Sequence, residues 1–203
     1  MLSEQLNRLT ELGLADIVGT KASTLESLAR GLAHEPGSTL AIHPSLATAR
    51  QLAPLLHRAG KSGFVVEDLT DLEQFEPVDG LDVPDAPLYL VKDVDRGDDL
   101  RNWSPNEALP AITSRGRTPL TVNEGISWLL LEPTMLEPNR CFMTIGSRKR
   151  TPKGLDARTP ALWISGGTGR DGKDRAGAPK VGWCWAGNRH PWLGFASARG
   201  RSA

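Results

Sequence analysis

The sequence predicts an α+β protein from three features. Leucines recur at spacings of three to five in the first 17 residues, capping boxes at Ser104 and Thr121 mark helix starts, and after Arg140 the apolar period shortens to that of strands. Apolar residues and glycine make up about 49% of the 203 residues, the ordinary globular share, which excludes a disordered polyelectrolyte, a collagen or a coiled coil. A chain of this size buries roughly 70% of its unfolded surface, enough for a core without staples. A single compact domain over 1–203 is expected, with a helical segment 1–36, a mixed α/β portion 38–138 and an antiparallel β portion 139–196.

Taken in order, residues 3–17 read as one amphipathic helix that stops at Gly19, and about 23–32 as a second that carries Leu25, Leu28, Ala29 and Leu32. His34 and Pro36-Gly37 close that helix. Thr39 to Ile42 reads as a strand, followed by a helix capped by Ser45 and reaching Ala59, with Pro54 kinking it or ending it early. Gly63 to Val66 is the next strand, so 38–67 reads as a strand-helix-strand unit. Glu73 to Pro87, acidic and punctuated by proline, reads as an extended surface connection. Leu88 to about Val94 is a strand. The helix that starts at Ser104 has proline at its first position and ends near Arg115-Gly116; the one that starts at Thr121 runs through Leu131. Cys141–Ile145, Ala161–Ser165 and Val181–Ala186 then form a tryptophan-rich antiparallel meander. Alternation puts Val181, Trp183 and Trp185 on one face of the last strand and Gly182, Cys184 and Ala186 on the other. A face so poor in volume admits close packing, by a helix above all.

The chain is neutral, with 24 basic and 24 acidic residues, but the charges are segregated. Up to Gly146 there are 12 basic and 21 acidic residues, and after it 12 and 3, so the two parts carry −9 and +9. Twelve of the carboxylates fall between Glu67 and Asp99. Either the two parts neutralise one another in the fold, or each presents its field to a partner. Two cysteines are too few for a disulfide framework, and no apolar run exceeds four residues, so a cytoplasmic protein outside the membrane is expected.

Most motifs fail on their own chemistry. Gly167 to Asp174 contains GxGxxG and the first seven positions of a phosphate loop, but Asp174 stands where the magnesium-binding hydroxyl belongs, and Arg175 to Pro179 cannot propagate a helix. It reads as a mobile hairpin connection whose Arg170, Lys173, Arg175 and Lys180 offer charge to a polyanion without nucleotide specificity. Arg148-Lys149-Arg150 belongs to the preceding connection, at the opposite end of the sheet, which disfavours nucleic acid as the partner. Asp93 and Asp95 project from one side of a strand end and suggest a loose metal site, although the spacing of an EF-hand loop is absent. His43 sits at a strand-to-helix handover. Cys184 and His190 make a thiol and base only if the turn between them doubles back. Ser165-Gly166-Gly167 lacks the glycine of a nucleophile elbow.

The strings LDVPDAPLYLVKDVDRGDDLRNWSPNEALPAITSRGRTPLTVNEGI, CFMTIGSR, PALWIS and KVGWCWAGNRHPWLGFASA resemble a family of small actinobacterial proteins classed as a domain of unknown function, over roughly residues 80–198. The resemblance implies an actinobacterial, cytoplasmic origin and transfers no activity. The functional expectation is a non-catalytic binding module that engages an anionic ligand or an acidic protein surface through Trp183, Trp185, Arg170, Lys173, Arg175 and His190. The competing expectation is a metal-assisted hydrolase built on Asp93 and Asp95. The sequence leaves any cofactor unknown, no membrane is expected as a partner, and the opposed charges also permit head-to-tail self-association.

Overall fold

Gly13, with φ of 94°, divides what the leucine spacing predicts as one helix into α1 (Leu2–Glu11) and α2 (Leu14–Ile17). The computed structural model describes every residue from Met1 to Ala203 except His34, so the expected role of His34 in closing the next helix lies outside the described residues. That helix, α3 (Ala22–Ala29), buries Leu25 and Ala29. The strand Ser38–Ile42 follows as expected. The next helix is shorter than expected and starts later. Thr48, rather than Ser45, makes the capping box with Gln51, while Ser45 Oγ lies 2.7 Å from His43 Nδ1. Helix α4 (Ala49–Leu52) therefore gives way at Pro54 to a 3-10 turn, and His57–Arg58, within the stretch expected to be helical, is a short strand paired with Lys61–Ser62 beyond it.

The strand-helix-strand reading is also corrected. Ser38–Ile42 pairs antiparallel with Leu88–Lys92, whose other edge takes the C-terminal strand Gly200–Ser202, whereas Phe64–Val65 belongs to a different sheet. That sheet runs in the order Leu193–Phe195, Cys141–Met143, Arg158–Ile164, Pro179–Trp185, Phe64–Val65. Its three central strands are the predicted antiparallel meander, and its two edges join in parallel. The acidic connection is not simply extended surface. Phe75–Pro77 is a strand paired antiparallel with Ser147–Thr151, which puts Glu76 opposite Arg148 and Phe75 opposite Lys149. The segment read as a basic loop is thus a strand lying against the segment read as an acidic one.

Both capping boxes are formed, at the starts of α5 (Pro105–Ser114) and α6 (Val122–Leu131). Helix α6 is buried from Val122 to Leu130, the burial expected of a helix that is enclosed on all sides. On one side Gly125 sits where an added Cβ would lie 2.5 Å from Thr144 Cγ2 and 3.1 Å from Leu162 Cδ1. On the other, Asn123 Nδ2 donates to Ile42 O and Ala47 O, and Ser127 Oγ accepts from Ile42 N. Gln5 of α1 completes that edge, donating to Ser38 O and accepting from Leu40 N. The strand edge that no other strand covers is satisfied by side chains, and the buried apolar residues form one cluster from Leu6 to Ala198.

Candidate ligand-binding cleft

Cross-strand register decides where the indoles go. Trp163 lies opposite Lys180, and Ala161 opposite Gly182, so all four share one face of the sheet. The flat face expected to receive a helix is covered instead by the Trp163 indole: a Cβ on Gly182 would lie 2.5 Å from its Cη2. Gly182→Ala is expected to cost about 1–3 kcal/mol through this overpacking. The check is urea denaturation with near-ultraviolet circular dichroism, against Gly187→Ala, where an added Cβ meets nothing within 4 Å and the change should stay within about 0.5 kcal/mol.

Trp163 and Trp183 line one cleft of about 270 Å³ at the edge of the sheet, together with Asp68, Arg170, Asp171 and Lys180. Trp183 Nε1 donates to Asp68 Oδ1 (3.3 Å), and Arg170 pairs with Asp68 Oδ2 (3.2 Å). Lys180 Nζ pairs with Asp171 (2.6 Å) and lies 4.7 Å from the centre of the Trp163 ring, while Ser165 Oγ donates to the same Asp171 oxygen. The aromatic lining extends beyond the cleft. Trp185, 49% exposed, meets Trp183 edge to face at 4.6 Å, and Trp192 meets Trp163 at 6.2 Å.

The glycine-rich connection beside the cleft is tied down and has the wrong polarity for phosphate. It forms two 3-10 turns, Gly169–Asp171 and Lys173–Arg175. Lys61 Nζ donates to Asp174 O (2.9 Å) and Ala176 O (2.7 Å), and Arg58 donates to Gly177 O. Carbonyl oxygens gripping a lysine are the reverse of the backbone N–H groups that cradle a phosphate.

Of the residues singled out from sequence, the structure brings Arg170, Lys180 and Trp183 together in the cleft, with Trp185 beside them. It does not bring in the others. Arg175 lies over the Phe64 ring at 4.5 Å and faces Glu67 at 3.7 Å. Lys173 is exposed on the connection. His190 meets Trp192 at 5.3 Å with the rings tilted by 56°, and burial depresses its basicity. Cys184 makes no pair with it, and burial pushes the thiol up to about 11, far from a reactive thiolate. Lys180, expected to offer its charge to an anion, is instead paired with Asp171. Asp68, Asp171 and Trp163 are not among the expected contact residues; the facing of Trp163 and Lys180 on successive strands is readable only once the register is known.

Of the two alternatives for the segregated charge, the structure shows mutual neutralisation, which removes most of the free cations that an anion-binding surface would need. Arg150 pairs with Asp79, Lys149 and Arg158 with Asp71, Arg170 with Asp68, Arg189 with Glu107, Arg199 with Asp93 and Arg201 with Glu124. Arg148, 7% exposed, donates to Asp156 O. Among the described residues, Lys153 and Lys173 are the cations after Gly146 that lack both an ion pair and burial. The acidic and basic parts neutralise each other because their segments pair as strands and loops, well inside a Debye length of about 8 Å.

Asp93 and Asp95 do line one recess, but their charges are engaged. Asp93, with φ of 50°, pairs with Arg117 (3.0 Å) and Arg199 (2.7 Å), and Asp95 Oδ1 accepts from Gly97 N. Among the described residues no group of three or more His, Cys, Asp or Glu side chains is placed to hold a metal ion, and no helix is long and apolar enough to cross a membrane.

No curated protein and no solved structure matches the chain. The model of one family, described as a family of unknown function (DUF5701), matches residues 8–203, extending the resemblance noted over roughly 80–198 into the N-terminal helices. With nearly its whole length matched, the chain belongs to DUF5701.

Proposed function

We propose that this protein is a non-catalytic binding module that seats a small ring-bearing ligand in the Trp163/Trp183 cleft. One observation carries the reading: two indoles share a recess whose carboxylates and cations are already paired and oriented by one another. At about 270 Å³ the cleft falls below the roughly 300–1,000 Å³ of sites for drug-sized ligands, which suits a single ring. Arg170 is the contact for any negative charge on that ligand, because its pairing with Asp68 is exposed and exchangeable. A polyanion, an acidic protein surface or a second copy of the chain has little free charge to grip in the basic C-terminal part, since most of its cations are already paired or buried. The hydrolase reading lacks comparable support because guanidinium groups balance Asp93. Two free cysteines support the cytoplasmic setting, while the actinobacterial origin rests on the resemblance alone.

The test is a tryptophan-fluorescence titration with monosaccharides, nucleosides, nucleotides, oligonucleotides and polyphosphate at low and high salt. A ring ligand should bind with little dependence on salt, and Trp183→Ala should weaken it at least about tenfold, the usual range for loss of a stacking ring. Silence with every probe, or binding indifferent to Trp183→Ala, overturns the proposal.

A further inference from the structure

A further recess shares no lining residue with the cleft and differs from it in charge. Arg101, Asn102, Trp103, Glu107 and Arg189 line about 370 Å³ at the start of α5. Two loops form its walls, cross-tied through backbone hydrogen bonds from Asn102 N to His190 O (2.9 Å) and from Asn106 N to Ala186 O (3.1 Å). Trp103 is 40% exposed, an uncommon position for an indole that nothing covers.

The charges are unbalanced. Glu107 accepts from Ser104 N and Ser104 Oγ, both at 2.8 Å, and its other oxygen pairs with Arg189. That carboxylate is therefore spent on the cap and on one guanidinium. Arg101 donates Nε to Asp98 O (2.9 Å), and among the described residues no carboxylate lies within ion-pair distance of it. This recess therefore keeps one positive charge without a carboxylate partner beside an open aromatic face. Arginine offers paired N–H donors that match carboxylate and phosphate oxygens, and an indole offers a surface to a flat ring.

We propose that this recess binds a flat ring carrying an anionic group, with the ring on Trp103 and the carboxylate or phosphate on Arg101. Arg189 is the second donor, because its exposed pairing with Glu107 is weak enough to be shared. The site is independent of the Trp163/Trp183 cleft and stands or falls separately.

Isothermal titration with phenyl phosphate, benzoate and adenosine 5′-monophosphate tests it, with adenosine as the ring alone and inorganic phosphate as the anion alone. At least one ring-bearing anion should bind about tenfold or more tightly than either half, a gap of about 1.4 kcal/mol, and the phosphate and carboxylate arms identify which anion is preferred. Arg101→Gln, at an exposed position, should weaken that binding about tenfold or more and reduce its salt dependence. Trp103→Phe should remove the accompanying fluorescence change. Absence of binding by every ring-bearing anion, equal binding by inorganic phosphate alone, or indifference to Arg101→Gln each overturns the proposal. Loss of binding in Trp183→Ala with Arg101→Gln unaffected moves the ligand to the other cleft and overturns it equally.

Discussion

Arg201→Met is expected to lower the unfolding free energy by about 3–5 kcal/mol, the cost of leaving one partner of a buried ion pair behind. Arg201 and Glu124 have side chains 3% and 1% exposed. Arg201 Nε donates to Glu124 Oε1 (2.5 Å) and its Nη2 to Oε2 (2.8 Å), and the guanidinium also reaches Thr118 Oγ1 and Pro119 O. Tyr89 OH donates to Glu124 Oε1 at 2.9 Å, and burial together with the neighbouring carboxylate pushes the phenol far above its usual range. Glu124 is at the same time the capping residue of α6, accepting from Thr121 N at 2.7 Å. Removing the guanidinium leaves that carboxylate buried with two neutral donors. The double variant R201M/E124Q keeps an amide able to cap and removes the charge, so it should be more stable than Arg201→Met alone. Urea denaturation across the double-mutant cycle reads the coupling. Equal losses in the single and double variants, or a loss below about 1 kcal/mol in the single, would show that the pair does not hold the C-terminal strand in this way.

That pair also marks the boundary of what the sequence could tell. Ser104 and Thr121 announced their helices because a capping box is closed within four residues, and Gly19 marked a stop through its freedom to take positive φ, whereas the same freedom at Gly13 was masked by the leucine spacing that runs across it. Thr48 carried an equivalent signal in Gln51, but Ser45 lies nearer the strand end and competed for the assignment. The meander was legible from alternation. Its parallel edges were not: Gly63–Val66 was read as a strand but its partner lies over 110 residues away, and Leu193–Phe195 is too short to show any period. Long-range register was the missing quantity throughout. Arg201 and Glu124 are 77 residues apart, Arg158 and Asp71 are 87, and nothing in the charge count says which arginine meets which carboxylate. The sequence did contain the correct alternative, mutual neutralisation. It also supplied Trp183 and Arg170 of the cleft, while their partner Asp68 depended on a chain path that no local pattern encodes.

Asp71 is the clearest test of that neutralisation, and Asp71→Asn is expected to cost about 2 kcal/mol, between a single charged hydrogen bond and a fully buried pair. Its carboxylate accepts from Arg158 at 2.9 and 2.7 Å and from Lys149 at 2.6 Å, with all three side chains largely buried. Arg158 is also held by Asp156 at 2.7 Å, so one acidic turn fastens the end of a meander strand and the Ser147–Thr151 strand together. The Arg158 hydrogen bonds, reinforced by Lys149 and opposed by burial, hold the Asp71 carboxyl well below the usual carboxylate range. The sign follows from proton linkage: a carboxyl depressed in the folded state gives its full stabilisation above the unfolded value of about 4, and loses it progressively as pH falls towards the folded value. The wild type should therefore lose stability steeply between about pH 4 and pH 2, whereas Asp71→Asn should start lower at pH 7 and decline less over that window. Because the three groups are shielded, 1 M salt should narrow the difference only in part. Parallel declines with pH in the two proteins, or a difference erased by salt, would mean that the acidic and basic segments merely lie near one another, and the free charge needed for a polyanion partner would again be on offer.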